Sequence, residues 1–194
     1  MKKLFQTFFI LACSFSVFAQ QNFDLVNYSV PSGWEKQIQE KQVTLQKQDY
    51  KNNSCKIIIY PSEIASGNGE KDFREQWKKY VKNVYNITND SLTIEMQKEE
   101  DWNIYSTYSF TSINGIKAVY AFTCIIGKKK IISINAITTD KVCLSDINTF
   151  FSGMELETVA DTGRGTKTKT KTTKKKPARR GIKILALKGL KDMV

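Results

Sequence analysis

The stretch from Trp102 to Thr138 reads WNIYSTYSFTSINGIKAVYAFTCIIGKKKIISINAIT and determines the predicted fold. It contains three runs of alternating apolar residues, separated by Asn114-Gly115 and by Gly127-Lys128. Asn-Gly between such runs is the strongest short-range hairpin signal, because both turn residues must take positive φ. Gly127-Lys128 fits a second tight turn with glycine at its first central position. The stretch therefore predicts a meander of three antiparallel strands.

Each of the first two strands of this meander has an apolar face, because successive side chains of a strand point to opposite sides of a sheet. On the first strand this face consists of Trp102, Ile104, Tyr108 and Phe110. On the second strand it consists of Tyr120, Phe122, Cys124 and Ile126. We expect the two sets to form one face that the rest of the chain covers.

The strands and helices around the meander are predicted from the spacing of their apolar residues. Short strands are expected at residues 28–30, 34–38, 42–46, 55–60 and 92–96, the second and third of them as a hairpin. A helix is expected over Glu70–Tyr85, capped by Asn68 or Gly69, with an apolar stripe of Phe73, Trp77, Tyr80, Val81 and Val84. A second helix is expected from Thr139 or Asp140 to Gly153, with Cys143, Ile147, Phe150 and Phe151 buried.

These elements predict an α+β fold. It is an antiparallel β-sheet combined with helices, in the order strand, hairpin, strand, helix, meander, helix. Residues 20–159 are expected to form this domain, between a signal peptide at 1–19 and a basic tail at 160–194.

The positive charge of the chain is concentrated at its C-terminal end. The net charge is +11, and residues 160–194 carry nine Lys and three Arg against two Asp. We expect this tail to be disordered up to a short apolar end at residues 181–194, because the part before that end offers little apolar surface to offset the entropy of ordering. The densest charge lies at Lys174, Lys175, Lys176, Arg179 and Arg180. These residues are candidates for binding polyanions such as lipopolysaccharide, lipid or DNA, and the alternative is a solubilising extension.

The first 19 residues are typical of a secretory signal. Lys2 and Lys3 precede the apolar stretch Leu4–Phe18, and Ala19 suits cleavage before Gln20. The protein is therefore expected to be periplasmic or secreted, with no transmembrane segment after signal removal. Lipidation at Cys13 is the alternative.

The cysteine and histidine content limits the kinds of disulfide, catalytic site and metal site that the chain can form. Removal of the signal leaves Cys55, Cys124 and Cys143, which allow one disulfide in any of three pairings, or three thiols. The chain contains no histidine, which excludes Ser-His-Asp and Cys-His nucleophile systems and histidine metal sites. We expect no enzyme activity, no cofactor and no metal. The tail contains no aromatic residue on which bases can stack, so sequence-specific nucleic-acid binding is not expected either.

Two further motifs are short. Asp90-Ser91-Leu92 resembles the O-glycosylation acceptor of Bacteroidetes proteins, but three residues often match by chance, and a plain connection between loop and strand is the preferred interpretation. Glu99-Glu100-Asp101 is interpreted as a solvated turn, because too few oxygen ligands accompany it for a calcium site.

The order of elements resembles the PsbP-like fold, which occurs in small exported bacterial proteins, here of the Bacteroidetes type. The matching segments are Pro31-Ser32-Gly33-Trp34, Cys55–Pro61, Phe73 with Trp77, and the meander. The resemblance implies a sheet with helices on both faces and a role in binding or assembly, and it brings no catalytic residues. The sequence thus favours a non-catalytic binding or envelope-assembly protein with an unknown partner, and the alternative is an anionic-surface binder acting through its tail.

Overall fold

The computed structural model describes residues 20–39, 41–48, 54–87, 92–99, 101–113 and 115–156. The strands are β1 (Gln21–Phe23), β2 (Val26–Tyr28), β3 (Glu35–Gln39), β4 (Gln42–Gln48), β5 (Ser54–Ile59), β6 (Glu63–Ile64), β7 (Glu95–Glu99), β8 (Trp102–Ile113), β9 (Ile116–Gly127), β10 (Lys130–Thr138) and β11 (Glu155–Leu156). The helical segments are α1 (Gly69–Trp77), a π-helix (Lys78–Lys82), α2 (Asn83–Tyr85) and α3 (Lys141–Ser152). The predicted signal peptide, the basic tail and Ser91 lie outside the described residues.

The protein has a mixed α/β fold in which the strands pair antiparallel. The large sheet has eight strands, in the order β3-β4-β5-β10-β9-β8-β7, and β6 also pairs with β10. A small sheet has the order β1-β2-β11. None of the helices in the described ranges has the length and apolar character needed to cross a membrane.

Several predicted strands are displaced. The strand predicted at residues 92–96 was wrong in its bounds, since β7 begins only at Glu95. Leu92 and Ile94 instead pack half-buried against the core ahead of the strand. The first predicted strand, at residues 28–30, occurs two residues earlier as β2. Val26 and Tyr28 of β2 are buried in the core. β2 pairs with β11, a strand that was not predicted.

The second turn of the meander differs from the prediction. Gly127 is paired with Lys130, so the central turn residues are Lys128 and Lys129, with φ of 49° and 61°. Glycine is required at 127 for another reason, because a Cβ there would lie 2.5 Å from the carbonyl oxygen of Asp101 and 2.7 Å from the ring of Trp102. Close approach between neighbouring strands, rather than turn geometry, selects this glycine.

The prediction that the two apolar sets share one face was wrong. Ile113 faces Ile116 across the first turn, so even-numbered residues of β8 face odd-numbered residues of β9. Ile104 therefore lies opposite Ile125, while Cys124 lies opposite Tyr105. Directly opposed residues share a face of the sheet, so the two predicted sets lie on opposite faces.

The buried side chains form two cores. The first core combines residues of α3 with alternate residues of the central strands: Leu144, Ile147, Phe150, Ile57, Ile59, Ile132 and Ile134. The second core combines the other alternate residues with the first helical region: Ile58, Phe122, Ile131, Ile137, Phe73, Trp77 and Val81. Successive residues of β5 and β10 thus pack into different cores, as the alternation of side chains along a strand requires.

The first helical region begins as predicted and then departs from α-helical geometry. The Asn68 side chain caps α1 by accepting a hydrogen bond from the Lys71 amide at 3.1 Å. The chain turns into the π-helix at Lys78, which adds a residue to the turn and shifts the buried stripe. Val84, predicted to be buried, is 58% exposed for this reason. Tyr80 is only half-buried.

One disulfide joins the sheet to α3. Cys55 on β5 and Cys143 on α3 are bonded, with their Cα atoms 6.0 Å apart, while Cys124 is a buried free thiol. The bond spans 88 residues of sequence, and a loop of that length is worth about 2–5 kcal/mol of stability in such domains. Asp146 adds a polar contact on the same helix, because its carboxylate accepts hydrogen bonds from Trp34 Nε1 at 2.9 Å and Lys47 Nζ at 3.1 Å.

The position of the second turn is tested by two substitutions. Gly127→Ala should lower the free energy of unfolding by about 1–3 kcal/mol, because its Cβ overlaps backbone and ring atoms. Lys129→Gly should leave stability unchanged or raise it by up to about 1 kcal/mol, because it relieves positive φ. Urea denaturation of both variants measures the difference. Equal losses would contradict this account of the turn.

Candidate functional site

A β-bulge separates β5 from β6 along the same edge of β10. Ile59 pairs with Ile134 and Glu63 pairs with Ile131, so four steps of one strand match three steps of the other. The extra residue falls within 60–62, around Pro61, which ends the run of β5. Bulges are frequent beside functional sites because they redirect a side chain. Here the bulge places Glu63 opposite Ile131, a residue of the second core.

The first helical region provides three donors to Glu63. Lys79 Nζ donates to Glu63 Oε1 at 2.7 Å, and the Tyr80 hydroxyl donates to the same oxygen at 2.6 Å. Gln76 Nε2 donates to Glu63 Oε2 at 3.2 Å. Lys79 and Tyr80 belong to the π-helix, a form that often marks functional sites. We refer to Glu63, Gln76, Lys79 and Tyr80 as the Glu63 cluster.

A hydrogen-bonded chain leads from the Glu63 cluster into the second core. Gln76 Oε1 accepts a hydrogen bond from the Ser133 hydroxyl at 3.2 Å. Ser133 Oγ in turn lies 3.5 Å from the sulfur of Cys124, within the range of a sulfur hydrogen bond. Burial raises the pKa of the Cys124 thiol, although Ser133 partly offsets this. The thiol therefore stays protonated and is a poor nucleophile.

Tyrosine rings surround the inner side of the cluster. Tyr60 and Tyr80 stack with their ring centroids 3.7 Å apart, and Tyr85 packs on Tyr120 at 4.3 Å. Burial is the main cause that raises the pKa of Tyr60. The amide of Asn135 lies near the Tyr60 hydroxyl and lowers the pKa of Tyr60 in part. The two groups do not reach hydrogen-bond geometry, and neither polar atom of the Asn135 side chain has a partner among the described residues. Asn135 is fully buried.

The charges of the cluster balance at neutral pH. Partial burial raises the pKa of Glu63, but the hydrogen bonds from Lys79, Tyr80 and Gln76 outweigh it, and the net direction is down. The bond to Glu63 raises the pKa of Lys79, and burial raises the pKa of Tyr80. A carboxylate, an ammonium and a neutral phenol are thus fixed in one place. The side chains of Glu63 and Lys79 are 34% and 54% exposed, so a partner can reach them.

The predicted site residues do not converge on this cluster. Cys55 and Cys143 are in the first core, and Cys124 meets the cluster only through Ser133. The candidate polyanion-binding residues lie outside the described part of the chain: Lys174, Lys175, Lys176, Arg179 and Arg180. Within the described ranges, no group of three metal-ligating residues occurs.

The Glu63 cluster was missed by sequence reasoning. Gln76, Lys79 and Tyr80 are spaced three and four residues apart, which places them on one helix face. Tyr80 was assigned to the buried stripe instead, and nothing local connects these three residues with Glu63, which is 13 residues before Gln76. Pro61 directly after an isoleucine-rich strand was the available signal for an interruption beside it.

No protein-family model matches the chain, and no curated protein matches it. A crystal structure of a protein from Bacteroides thetaiotaomicron VPI-5482 at 1.50 Å resolution is similar, with a TM-score of 0.48 and 13% sequence identity. The match covers 73% of this chain and 49% of that one, so the chain spans about half the length of that protein.

The hydrogen bonds to Glu63 predict a pH dependence. Because the pKa of Glu63 is lowered in the folded protein, its contribution to stability is present above its ordinary value of 4.5 and is lost as the pH falls through the folded-state pKa. Glu63→Gln should cost about 1 kcal/mol at pH 7, a value discounted for partial exposure. The difference from the wild-type protein should shrink in acid.

Urea denaturation at pH 7 and at the lowest pH where both proteins fold measures this difference. The matched control is Glu75→Gln on α1, whose side chain is 63% exposed and lies 4.0 Å from Lys71. It should change stability little at either pH. A Glu63→Gln cost that stays constant with pH would contradict the assigned role of the ionised carboxylate.

Proposed function

We propose that this chain is an exported, non-catalytic binding or envelope-assembly protein and that the Glu63 cluster is its contact surface. The convergence of three donors on one accessible carboxylate supports this proposal. The carboxylate is held by a β-bulge on one side and a π-helix on the other. The β-bulge and the π-helix both interrupt the regular pattern of backbone hydrogen bonds, and such interruptions are frequent where a functional side chain must be oriented.

The protonation states in the cluster favour binding over catalysis. Proton transfer at neutral pH works best with a group whose pKa lies near 7. Glu63 and Lys79 shift away from neutrality, in opposite directions. The thiol of Cys124 is fully buried and its pKa is raised. What remains is a fixed set of donors and acceptors, which suits recognition of a polar partner surface.

Export is supported by the signal-like residues 1–19 and by the Cys55–Cys143 disulfide, since structural disulfides persist in oxidising compartments. Cleavage before Gln20 removes Cys13, so the mature chain carries the disulfide and one thiol, that of Cys124. An exported chain beginning with a lipid-modified Cys13 would contradict this form of the proposal.

We also infer a PsbP-like arrangement, in which the two helical regions cover opposite faces of the large sheet. Its support is the division of neighbouring residues between the cores, since Ile58 packs with α1 residues while Ile57 and Ile59 pack with α3 residues. An experimental structure with both helical regions against one face would overturn it.

The partner-binding role of the cluster is tested by a charge reversal. Immobilised mature chain, with its first residue verified as Gln20 by mass spectrometry, is used to capture partners from envelope extracts of the source cells. Lys79→Glu should lower recovery of the bound partner at least about tenfold, because it removes the ammonium and repels Glu63. Lys71→Glu makes the same charge change on the exposed part of α1 and should leave recovery unchanged.

Equal recovery with the two variants would show that the cluster is not the contact surface. Substrate turnover by the purified wild-type chain would contradict the non-catalytic part of the proposal.

A second candidate function rests on the charge of residues 160–194. Their excess of ten positive charges suits binding to an anionic surface such as lipopolysaccharide, lipid or DNA. Neutralising Lys174, Lys175, Lys176, Arg179 and Arg180 to Gln should weaken such binding and flatten its dependence on salt. Affinity for lipopolysaccharide and for DNA across a salt series measures both quantities. Binding unchanged after deletion of residues 160–194 would rule this function out.

A further inference from the structure

The β-bulge before Glu63 is not closed by the large sheet alone. The Tyr60 amide donates to a carbonyl of β10 at 3.0 Å, and Pro61 has no amide hydrogen to donate. The Ser62 amide donates instead to the side chain of Asp24, at 2.5 Å from Oδ2. Glu63 then resumes pairing with β10. A carboxylate from the small sheet thus satisfies the last bulge amide, directly before Glu63.

Asp24 lies in the two-residue turn between β1 and β2, where Phe23 pairs with Val26. Its backbone φ is 53°, a conformation that Asp and Asn tolerate better than most other residues. Phe23 and Leu25, the neighbours of Asp24 in the chain, pack half-buried against the first core. These two apolar contacts fix the turn, so the Asp24 carboxylate is held at the bulge although the residue is exposed.

A second carboxylate holds the chain on the other side of Glu63. The Ser66 amide lies 3.2 Å and 3.0 Å from the two side-chain oxygens of Asp72 and donates to them. Asp72 is 3% exposed and belongs to α1. The segment from Ser62 to Ser66 is therefore anchored to the small sheet at its start and to α1 at its end.

The two anchors differ in what they hold Glu63 against. Asp72 lies on the same helical region as the three donors to Glu63, so its bond to Ser66 ties the segment to the donors themselves. Asp24 fixes the segment from outside this region. Lys79 and Tyr80 donate to one oxygen of Glu63 at 2.7 Å and 2.6 Å. Hydrogen bonds of this kind weaken when the acceptor is displaced, so an external anchor on Glu63 preserves both.

We propose that Asp24 is a positioning residue for the Glu63 cluster, because its bond to the Ser62 amide fixes the bulge that presents Glu63 to its donors. Asp24 acts through Ser62 and is not a member of the cluster. This inference rests on the proposed function, since it assigns to the small sheet the role of holding the contact surface in its binding geometry.

Two substitutions at Asp24 separate its hydrogen bond from its charge. Asp24→Gly removes the acceptor, and glycine adopts positive φ without strain, so the turn is retained. Asp24→Asn keeps an acceptor oxygen and also tolerates positive φ. Both variants remove the same negative charge, and Asp24→Asn is therefore the matched control for Asp24→Gly.

The main readout is the pKa of Glu63, followed by carboxyl NMR of the mature chain, residues 20–194. In Asp24→Gly it should rise toward its ordinary value by at least about half a pH unit, because weaker hydrogen bonds favour the ionised carboxylate less. Removal of a nearby negative charge acts in the opposite direction. Asp24→Asn should therefore leave the pKa of Glu63 unchanged or lower it.

Two further measurements distinguish the bond, the positioning and the binding. Hydrogen exchange of the Ser62 amide should be slow in the wild-type chain and in Asp24→Asn, and at least about tenfold faster in Asp24→Gly. Capture of the partner from envelope extracts should fall at least about threefold with Asp24→Gly and stay at the wild-type level with Asp24→Asn.

The positioning role would be overturned by an unprotected Ser62 amide in the wild-type chain, by an unchanged Glu63 pKa in Asp24→Gly, or by a rise in Asp24→Asn. These readouts require no partner. A Glu63 pKa that rises in Asp24→Gly while partner recovery stays at the wild-type level would leave the positioning role in place and contradict the proposed contact surface instead.

Discussion

Strand β10 is hydrogen-bonded along both of its edges, to β9 on one side and to β5 and β6 on the other. All of its residues except Lys130 are buried. Its side chains alternate between the two cores, with Ile132 and Ile134 in the first and Ile131 and Ile137 in the second. Because β10 is paired along both edges and buried on both faces, a change in its position would disturb the neighbouring strands and both cores. The rest of the structure therefore depends on the pairing of β10.

The two cores of this strand differ in chemistry. The first core is apolar along β10 and is tied to α3 by the Cys55–Cys143 disulfide. The second core receives Ser133 and Asn135 from the same strand. Ser133 is bonded to Gln76, but an amide buried without a partner, as in Asn135, costs about 1–3 kcal/mol. The second core thus leads through polar groups to the accessible Glu63.

The strands of the meander could be predicted because alternation and turn signals are local in sequence. The prediction that its two apolar sets share one face was wrong, because the pairing of Ile113 with Ile116 places them on opposite faces of the sheet. The exposure of Val84 could not be predicted, because no residue type signals a π-helix. Glu63 could not be assigned either, because its partners lie on a separate element and meet it only after folding. Pairing of the cysteines required the packing of α3 on β5.

The sheet registers place the Glu63 cluster and the disulfide at opposite ends of β10. Glu63 lies opposite Ile131, and the same row of paired residues crosses Ile126 of β9 to reach Asn103 of β8. Cys55 lies opposite Thr138, at the other end of β10. At roughly 3.3 Å per residue, the two rows are about 20 Å apart along the strands. The disulfide therefore fixes α3 at the end of the sheet that is remote from Glu63, so the covalent constraint on the first core and the accessible cluster occupy separate regions of the same sheet.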